Sequence, residues 1–220
     1  METKIAITGG TSGLGLALVR RWHGLGAKVA FVARSNEWVE RVQAQNPGSA
    51  GIVGDVSKKD EIYPIALQIL GRLGGLDVLV NNASSLGPTP LVPLADTACE
   101  DLELALATNL LGPFRLTKAL LGALRASAAE GRGGIVLNIS SDAAVTPYAN
   151  WGAYGASKAA LRHRSAIWHE ELAGTGVRIL SADPGDMDTP LHRIALPDSD
   201  PATLKRPETS ARELIELIGS

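Results

Sequence analysis

The sequence predicts an α/β fold: a doubly wound parallel sheet of six strands in the order 3-2-1-4-5-6, with helices on both faces. Three observations predict it. Six short apolar runs recur along the 220 residues, separated by stretches of helical periodicity. The runs are almost continuously hydrophobic, as strands buried on both faces are. The first run leads directly into a glycine-rich turn and then a helical pattern, the local plan of an anion site at a helix N-terminus.

Lys4-Ile-Ala-Ile-Thr8 is the first strand, and Gly9-Gly-Thr-Ser-Gly13-Leu-Gly15 is the turn. Gly9, Thr11, Ser12, Gly13, Leu14 and Gly15 are the candidate contacts to a pyrophosphate. Glycine suits such a turn because a side chain would fill the space the ligand needs. A helix over 14–25 follows, with Leu14, Ala17, Leu18 and Trp22 setting its apolar period. Further strands at about 28–33, 51–53, 77–81, 135–139 and 177–182 alternate with helices at about 36–46, 58–73, 98–128 and 152–173. Right-handed crossovers then place a ligand crevice outside the carboxyl ends of the strands, at the switch point. The stretch 190–207 holds Pro190, Pro197, Pro201 and Pro207 and is expected to be a loop with at most a short helix. Pro207 opens and Gly219 closes a last helix, whose Leu214, Ile215, Leu217 and Ile218 form a stripe expected to be buried.

Composition bounds the function classes. A chain of 220 residues is long enough for one domain with a full core, expected to span 1–220, and its 45% hydrophobic content is that of a globular protein. The formal net charge of −2 gives no reason to expect nucleic acid or an anionic membrane as a partner. A lone cysteine, Cys99, excludes an intrachain disulfide framework and fits a reducing compartment. No signal-peptide pattern precedes the first strand, and no uncharged apolar run approaches the length of a membrane span, so the cytoplasm is the expected location. His23, His163, His169 and His192 show no metal-ligand spacing, and no metal is expected.

The chemistry is concentrated near the second half of the chain. Tyr154 and Lys158 are four apart, which stacks them on one face of a helix. A free phenol titrates near ~10, and a fixed ammonium nearby favours the phenolate; a shift of about 3 units takes about 4 kcal/mol. Ser141 closes the run Ile135-Val-Leu-Asn-Ile-Ser-Ser141, where a hydroxyl would face the crevice. Tyrosine moves a proton, serine polarises a carbonyl and lysine tunes the tyrosine. Such a set suits carbonyl/alcohol redox chemistry.

Taken together these stations resemble the short-chain dehydrogenase/reductase family, in its single-domain form with a Rossmann-type sheet. The resemblance covers residues 3 to about 190. The family's Thr-Gly-x-x-x-Gly-x-Gly lies at Thr8 to Gly15, and its adenine-side Asp-Val at Asp55-Val56. Its Asn-Asn-Ala-Gly appears as Asn81-Asn82-Ala83-Ser84, with the last glycine replaced. Its helix-borne asparagine matches Asn109, and its catalytic serine, tyrosine and lysine match Ser141, Tyr154 and Lys158. Its Pro-Gly-x-x-x-Thr matches Pro184-Gly185 to Thr189, whose threonine contacts the nicotinamide side in the family. The resemblance implies a nicotinamide dinucleotide held by the glycine turn, Asp55, Val56, Asn82, Ala83, Tyr154, Lys158, Pro184, Gly185 and Thr189. It implies that Asn109 holds a water relaying protons to Lys158, and that 190–207 covers the substrate.

At the end of the second strand an acidic residue would favour NAD(H), but the chain reads Ala33 and then Arg34. An arginine there usually goes with NADP in the family, so NADP(H) is the expected cofactor and NAD(H) the alternative. Ser12 stands where many NADP-preferring relatives carry a basic residue. Two other functions fit the scaffold less well. A non-catalytic NADP-binding sensor or signalling protein would usually lack the tyrosine or lysine, and a sugar-nucleotide epimerase or dehydratase would need a further substrate domain. The expected substrate is a small or medium, partly polar carbonyl or alcohol compound, met by Ser84, Asp142, Tyr148, Trp151, Met187, Leu191 and His192. Relatives continue into a seventh strand that pairs subunits of a tetramer; the chain stops at Ser220 with no apolar run left for it. A homodimer through the helices around 98–128 and 152–173 is therefore expected.

Overall fold

In the computed structural model, residues 2–219 are described; Met1 and Ser220, the ends of the expected domain, lie outside them. Six parallel strands, β1 (Lys4–Thr8), β2 (Lys28–Ala33), β3 (Ala50–Val53), β4 (Val78–Asn81), β5 (Ile135–Ile139) and β6 (Arg178–Ala182), form one sheet in the order β3-β2-β1-β4-β5-β6. The order and strand number are those the sequence predicts. The helices are α1 (Gly13–Gly24), α2 (Asn36–Gln45), α3 (Ile62–Leu73), α4 (Cys99–Leu106), α5 (Gly112–Ala129), α6 (Gly152–Glu171), α7 (Pro190–Ala195) and α8 (Pro207–Gly219). None of them is long and apolar enough to cross a membrane.

Alternating residues of each strand feed two different cores. Ile5, Ile7, Phe31 and Val80 pack against Leu14 and Leu18 of α1, Val39 of α2 and Leu214 and Ile218 of α8. Ala6, Ala30, Val32 and Leu79 face the other way, onto Ile65 and Ile69 of α3 and Leu116 and Leu120 of α5. Both faces are dry, which is why the strands read as apolar runs instead of an alternation. Each large side chain buried in this way contributes about 1.5–3 kcal/mol. The stripe on α8 is narrower than expected: Ala211, Leu214 and Ile218 are buried, while Leu217 is 41% exposed because it lies off that face.

The helix predicted over 98–128 is not a uniform α-helix. Between α4 and α5 the chain makes a wide π turn at Ala107–Leu111, in which Gly112 N–H bonds the carbonyl of Ala107, five residues back. Pro113 has no N–H to give to the carbonyl of Asn109, so an α-helix could not keep its ladder here. The segment 190–207 is also more ordered than a loop. It contains α7 and a 3₁₀ turn at Pro201–Thr203. Lys205 N–H bonds the Asp186 carbonyl at 2.9 Å, and Asp188 N–H bonds the Lys205 carbonyl at 3.0 Å.

The carboxyl edge of the sheet is tied together by polar groups. Thr8 Oγ1 accepts from the N–H groups of Asn82 and Ala83, both at 3.0 Å, and Asn82 Nδ2 donates to the Thr8 carbonyl at 2.9 Å. These bonds fix the start of the glycine turn against the exit of β4.

Candidate active site

One cavity of about 930 Å³ runs along that edge, at the upper end of ligand-site sizes. At one end it is lined by the glycine turn, Arg34, Asp55 and Val56; at the other by Ser141, Tyr154, Trp151 and His192.

The first half is built to receive an anion. Ser12 precedes α1 in an extended conformation, its side chain makes no cap bond, and the first turn carries no acidic residue. The leading N–H groups of α1 and the positive end of its dipole are thereby left for a ligand. Gly9 and Gly13 have φ of 69° and 48°, values a side chain would strain. Gly15 does not line the cavity. A Cβ there would collide with the Gly9 carbonyl and come within 2.6 Å of Asn82 Nδ2, so this glycine serves close packing under the turn. Thr11, Ser12, Gly13, Leu14, Asn82, Ala83, Pro184, Gly185 and Thr189 all line the cavity. Thr189 Oγ1 also caps α7, accepting from His192 N–H at 3.2 Å. Asp55 accepts from the Ser57 N–H and hydroxyl at 2.9 and 2.7 Å, which orients its carboxylate. Arg34 lies exposed just beyond β2, beside Ser35 and Trp38 on the cavity wall. These groups fit a dinucleotide: unclaimed N–H groups for its phosphates, a carboxylate at the adenine end and a guanidinium at the ribose.

The second half holds the candidate proton-moving groups. Tyr154 and Lys158 lie on one face of α6, and both are buried, at 8% and 2% exposure. Lys158 Nζ donates to the Ile139 carbonyl at 2.8 Å and sits 5.4 Å from the centre of the Tyr154 ring. Burial pulls the lysine down to about 8. Burial also pushes the Tyr154 phenol up to about 12, against hydrogen bonds with the Ser141 and Ser84 hydroxyls that favour its ionised form. This corrects the expectation that the ammonium lowers the phenol. The ammonium lies by the ring, and desolvation of the phenolate is the larger effect. At neutral pH Tyr154 is a neutral phenol, an acid ready to donate.

Ser141 does not end the strand; β5 stops at Ile139. Ser141 instead caps a 3₁₀ turn at Asp142–Ala144, accepting from Ala143 N–H at 3.2 Å and donating to Asp142 Oδ1 at 3.0 Å. Asn109 is buried in the π turn, outside the cavity lining, and its amide is fully engaged. Nδ2 donates to the Ser85 carbonyl at 2.7 Å and to Ser157 Oγ at 2.8 Å, while Oδ1 accepts from Ser85 N–H at 2.8 Å and Ser84 Oγ at 3.2 Å. Its main-chain carbonyl cannot take the α-helical bond from four residues on, because that residue is Pro113.

The family profile described as short chain dehydrogenase matches residues 3–199. The chain belongs to the short-chain dehydrogenase family. It is an oxidoreductase of the nicotinamide-dependent kind. It is 37% identical over 194 residues to a serine 3-dehydrogenase from Rhizobium radiobacter, a match covering 86% of this chain and 74% of that one. It superimposes with a TM-score of 0.91, at 28% identity, on a 3-ketoacyl-(acyl-carrier-protein) reductase from Brucella melitensis complexed with NADH, covering 99% and 91% of the two chains. An actinorhodin polyketide ketoreductase with NADPH gives a TM-score of 0.87 at 28% identity, covering 100% and 92%.

In this short-chain dehydrogenase the seven residues expected around the substrate, Ser84, Asp142, Tyr148, Trp151, Met187, Leu191 and His192, all line the cavity. Sequence reasoning missed Ser157. Its hydroxyl accepts from Asn109 and donates to the Tyr154 carbonyl at 2.6 Å, linking the π turn to α6. A mid-helix serine bonding back along its own helix gives no sequence signal.

Proposed function

We propose that this chain transfers hydride between NADP(H) and a small carbonyl or alcohol compound, with Tyr154 as the general acid and base. The observation that carries the reading is the meeting of the Tyr154 phenol with the Ser141 hydroxyl in the cavity, over a buried Lys158. Bound nicotinamide would supply or accept the hydride. The chain's own residues hold the substrate oxygen between two hydroxyls, where charge develops in the transition state. Tyr154 gives its proton to that oxygen in reduction and takes it back in oxidation. Asn109 keeps the 84–85 segment and α6 in register, and its carbonyl is the candidate water holder of a relay to Lys158. Arg34, with Ala33 in the acidic position, supports preference for the 2′-phosphate. The name of the Rhizobium relative, with a hydroxy amino acid as substrate, supports a small and polar one.

The test is absorbance of the reduced nicotinamide against a panel of small ketones, aldehydes and alcohols. Substrate-dependent change with a higher kcat/KM for NADPH than for NADH is expected; a clear NADH preference would overturn the cofactor assignment. We place the protein in the cytoplasm as a homodimer. Exposed Leu111, Phe114 and Ile167 on the π turn, α5 and α6 support a second copy against these helices, as does the Arg164 guanidinium 5.7 Å from the Phe114 and Trp168 rings. Light scattering should give about twice the chain mass, and four times would refute the dimer.

A further inference from the structure

Asp142 follows the reactive serine, and its carboxylate is not explained by the chemistry above. Oδ1 accepts from Ser141 Oγ at 3.0 Å and from Ala143 N–H at 2.7 Å, while Oδ2 accepts from the Tyr148 hydroxyl at 2.7 Å. Those bonds, the Tyr148 one foremost, hold the carboxyl below its ordinary range, so it is ionised at neutral pH. Among the described residues no lysine, arginine or histidine forms an ion pair with it. It lines the cavity at the substrate end with Asp183 and Asp186, and Lys158 there is already bonded to the Ile139 carbonyl. Three carboxylates there against the one ammonium of Lys158 leave an excess of negative charge, which favours a cation. Beside the carboxylate stands an aromatic wall: Trp151 meets the Tyr154 ring edge-on at 5.6 Å and lies 6.5 Å from the Tyr148 ring. A carboxylate next to aromatic faces is an ammonium site.

We propose that Asp142 selects the substrate, its carboxylate taking an ammonium on the carbon next to the reacting one, so that the chain acts on small 1,2-amino alcohols and the matching α-amino ketones. The proposal rests on the reading that Ser141 and Tyr154 hold the reacting oxygen. The spacing agrees with it. The nitrogen and oxygen of a vicinal amino alcohol lie roughly 3 Å apart, given bonds of about 1.5 Å. Ser141 Oγ and Asp142 Oδ1 lie 3.0 Å apart, so the two ligand atoms can meet the two protein atoms together. Recognition is then coupled to activation. At rest Asp142 competes for the Ser141 proton at 3.0 Å; an ammonium is the stronger donor, takes over Oδ1 and leaves the serine proton to face the substrate oxygen. In oxidation the carbinol C–H pair goes to the oxidised nicotinamide and the O–H proton to the Tyr154 phenolate, formed by prior loss of the phenol's own proton to solvent, leaving the ketone, the reduced cofactor and one released proton.

The test compares 1-amino-2-propanol, 1,2-propanediol and 2-butanol with NADP+ in the wild type and in Asp142→Asn. Thermal unfolding of the variant checks that it folds; its amide keeps an oxygen for the Ala143 N–H. The wild type should prefer the amino alcohol over 2-butanol by at least about tenfold in kcat/KM, the worth of one charged hydrogen bond, and the variant should lose most of that ratio. A ratio that survives in the variant, or equal rates with all three alcohols, overturns the proposal. A preference for the diol over the amino alcohol shows that the carboxylate selects a hydroxyl and overturns the ammonium assignment. If no alcohol is turned over, the functional reading fails by itself. Calorimetric binding of 1-amino-2-propanol to the NADP+ complex, lost in Asp142→Asn, then supports the ammonium site, and its absence in the wild type refutes it.

Discussion

The two sides of the reacting position are built in opposite ways. Tyr154, Lys158, Asn109 and Ser157 are all buried, and Asn109 and Ser157 close a hydrogen-bond network in which every amide atom of Asn109 has a partner. Ser141, Asp142 and Tyr148 form a rim open to solvent, where the charge of Asp142 is held by hydroxyls and one N–H. In the first, proton affinities are set by burial, and they shift only if the packing shifts. In the second they are set by single hydrogen bonds. The difference separates the parts: the interior groups answer to packing, and the rim can be altered without unfolding the molecule.

The largest effect that would break this contrast is expected from Tyr154→Phe. It keeps the ring and its packing and removes only the proton, so kcat should fall about 100-fold or more. NADPH binding, followed by fluorescence titration, should be retained; retained turnover would remove Tyr154 from the mechanism. Asn109→Ala should come next, leaving the Ser85 carbonyl and N–H without their partner and the Ser84 and Ser157 hydroxyls each one bond short. A loss of about 3 kcal/mol in denaturant unfolding is expected, with activity falling as the 84–85 segment loosens. A loss below 1 kcal/mol, roughly one ordinary hydrogen bond, would show that the network is less closed than its geometry.

Lys158→Met sharpens the comparison through pH. The lysine has a folded value of about 8 against an ordinary 10.5, so between those values the unfolded chain binds more protons than the native one. Its contribution to stability therefore rises with pH across that window, and at pH 7, where the amine is charged in both states, the native state bears the full cost of burying it. The stability of wild type relative to Lys158→Met should climb as pH rises from 8 to 10.5; a flat difference would mean the ammonium is better solvated than its burial implies. The smallest effect belongs to the rim. Tyr148→Phe should change stability by no more than about 0.5 kcal/mol. It removes the main cause holding Asp142 low, so the carboxylate should protonate at a higher pH, and amino-alcohol affinity should fade earlier on acidification.

The sheet and its order were legible because parallel strands buried on both faces leave continuous apolar runs, and each run ends at a turn with recognisable chemistry. Thr8 to Leu14 and the Tyr154–Lys158 pair were legible for the same reason: their spacing is imposed by local geometry. Three features were not. Gly15 reads as a ligand glycine, but its close neighbour, the Gly9 carbonyl, is visible only in three dimensions. The direction of the Tyr154 shift depends on how much water is excluded around it, which no spacing encodes. The π turn did have a signal, Pro113 inside an otherwise helical run, and it was overridden by the periodicity on either side.

That turn has a consequence for the lineage of the chain. A five-residue turn holds one residue more than the α-turn it replaces, so 107–111 amounts to a single-residue insertion absorbed by a rod. Removing one residue there would take out the wide turn but leave Pro113 withholding its N–H, and the contacts of α5 through Leu116, Leu120 and Leu124, which lie beyond the turn, would still find their partners. The fold would survive; the asparagine that joins the glycine-turn side of the cavity to α6 would be rotated out of place.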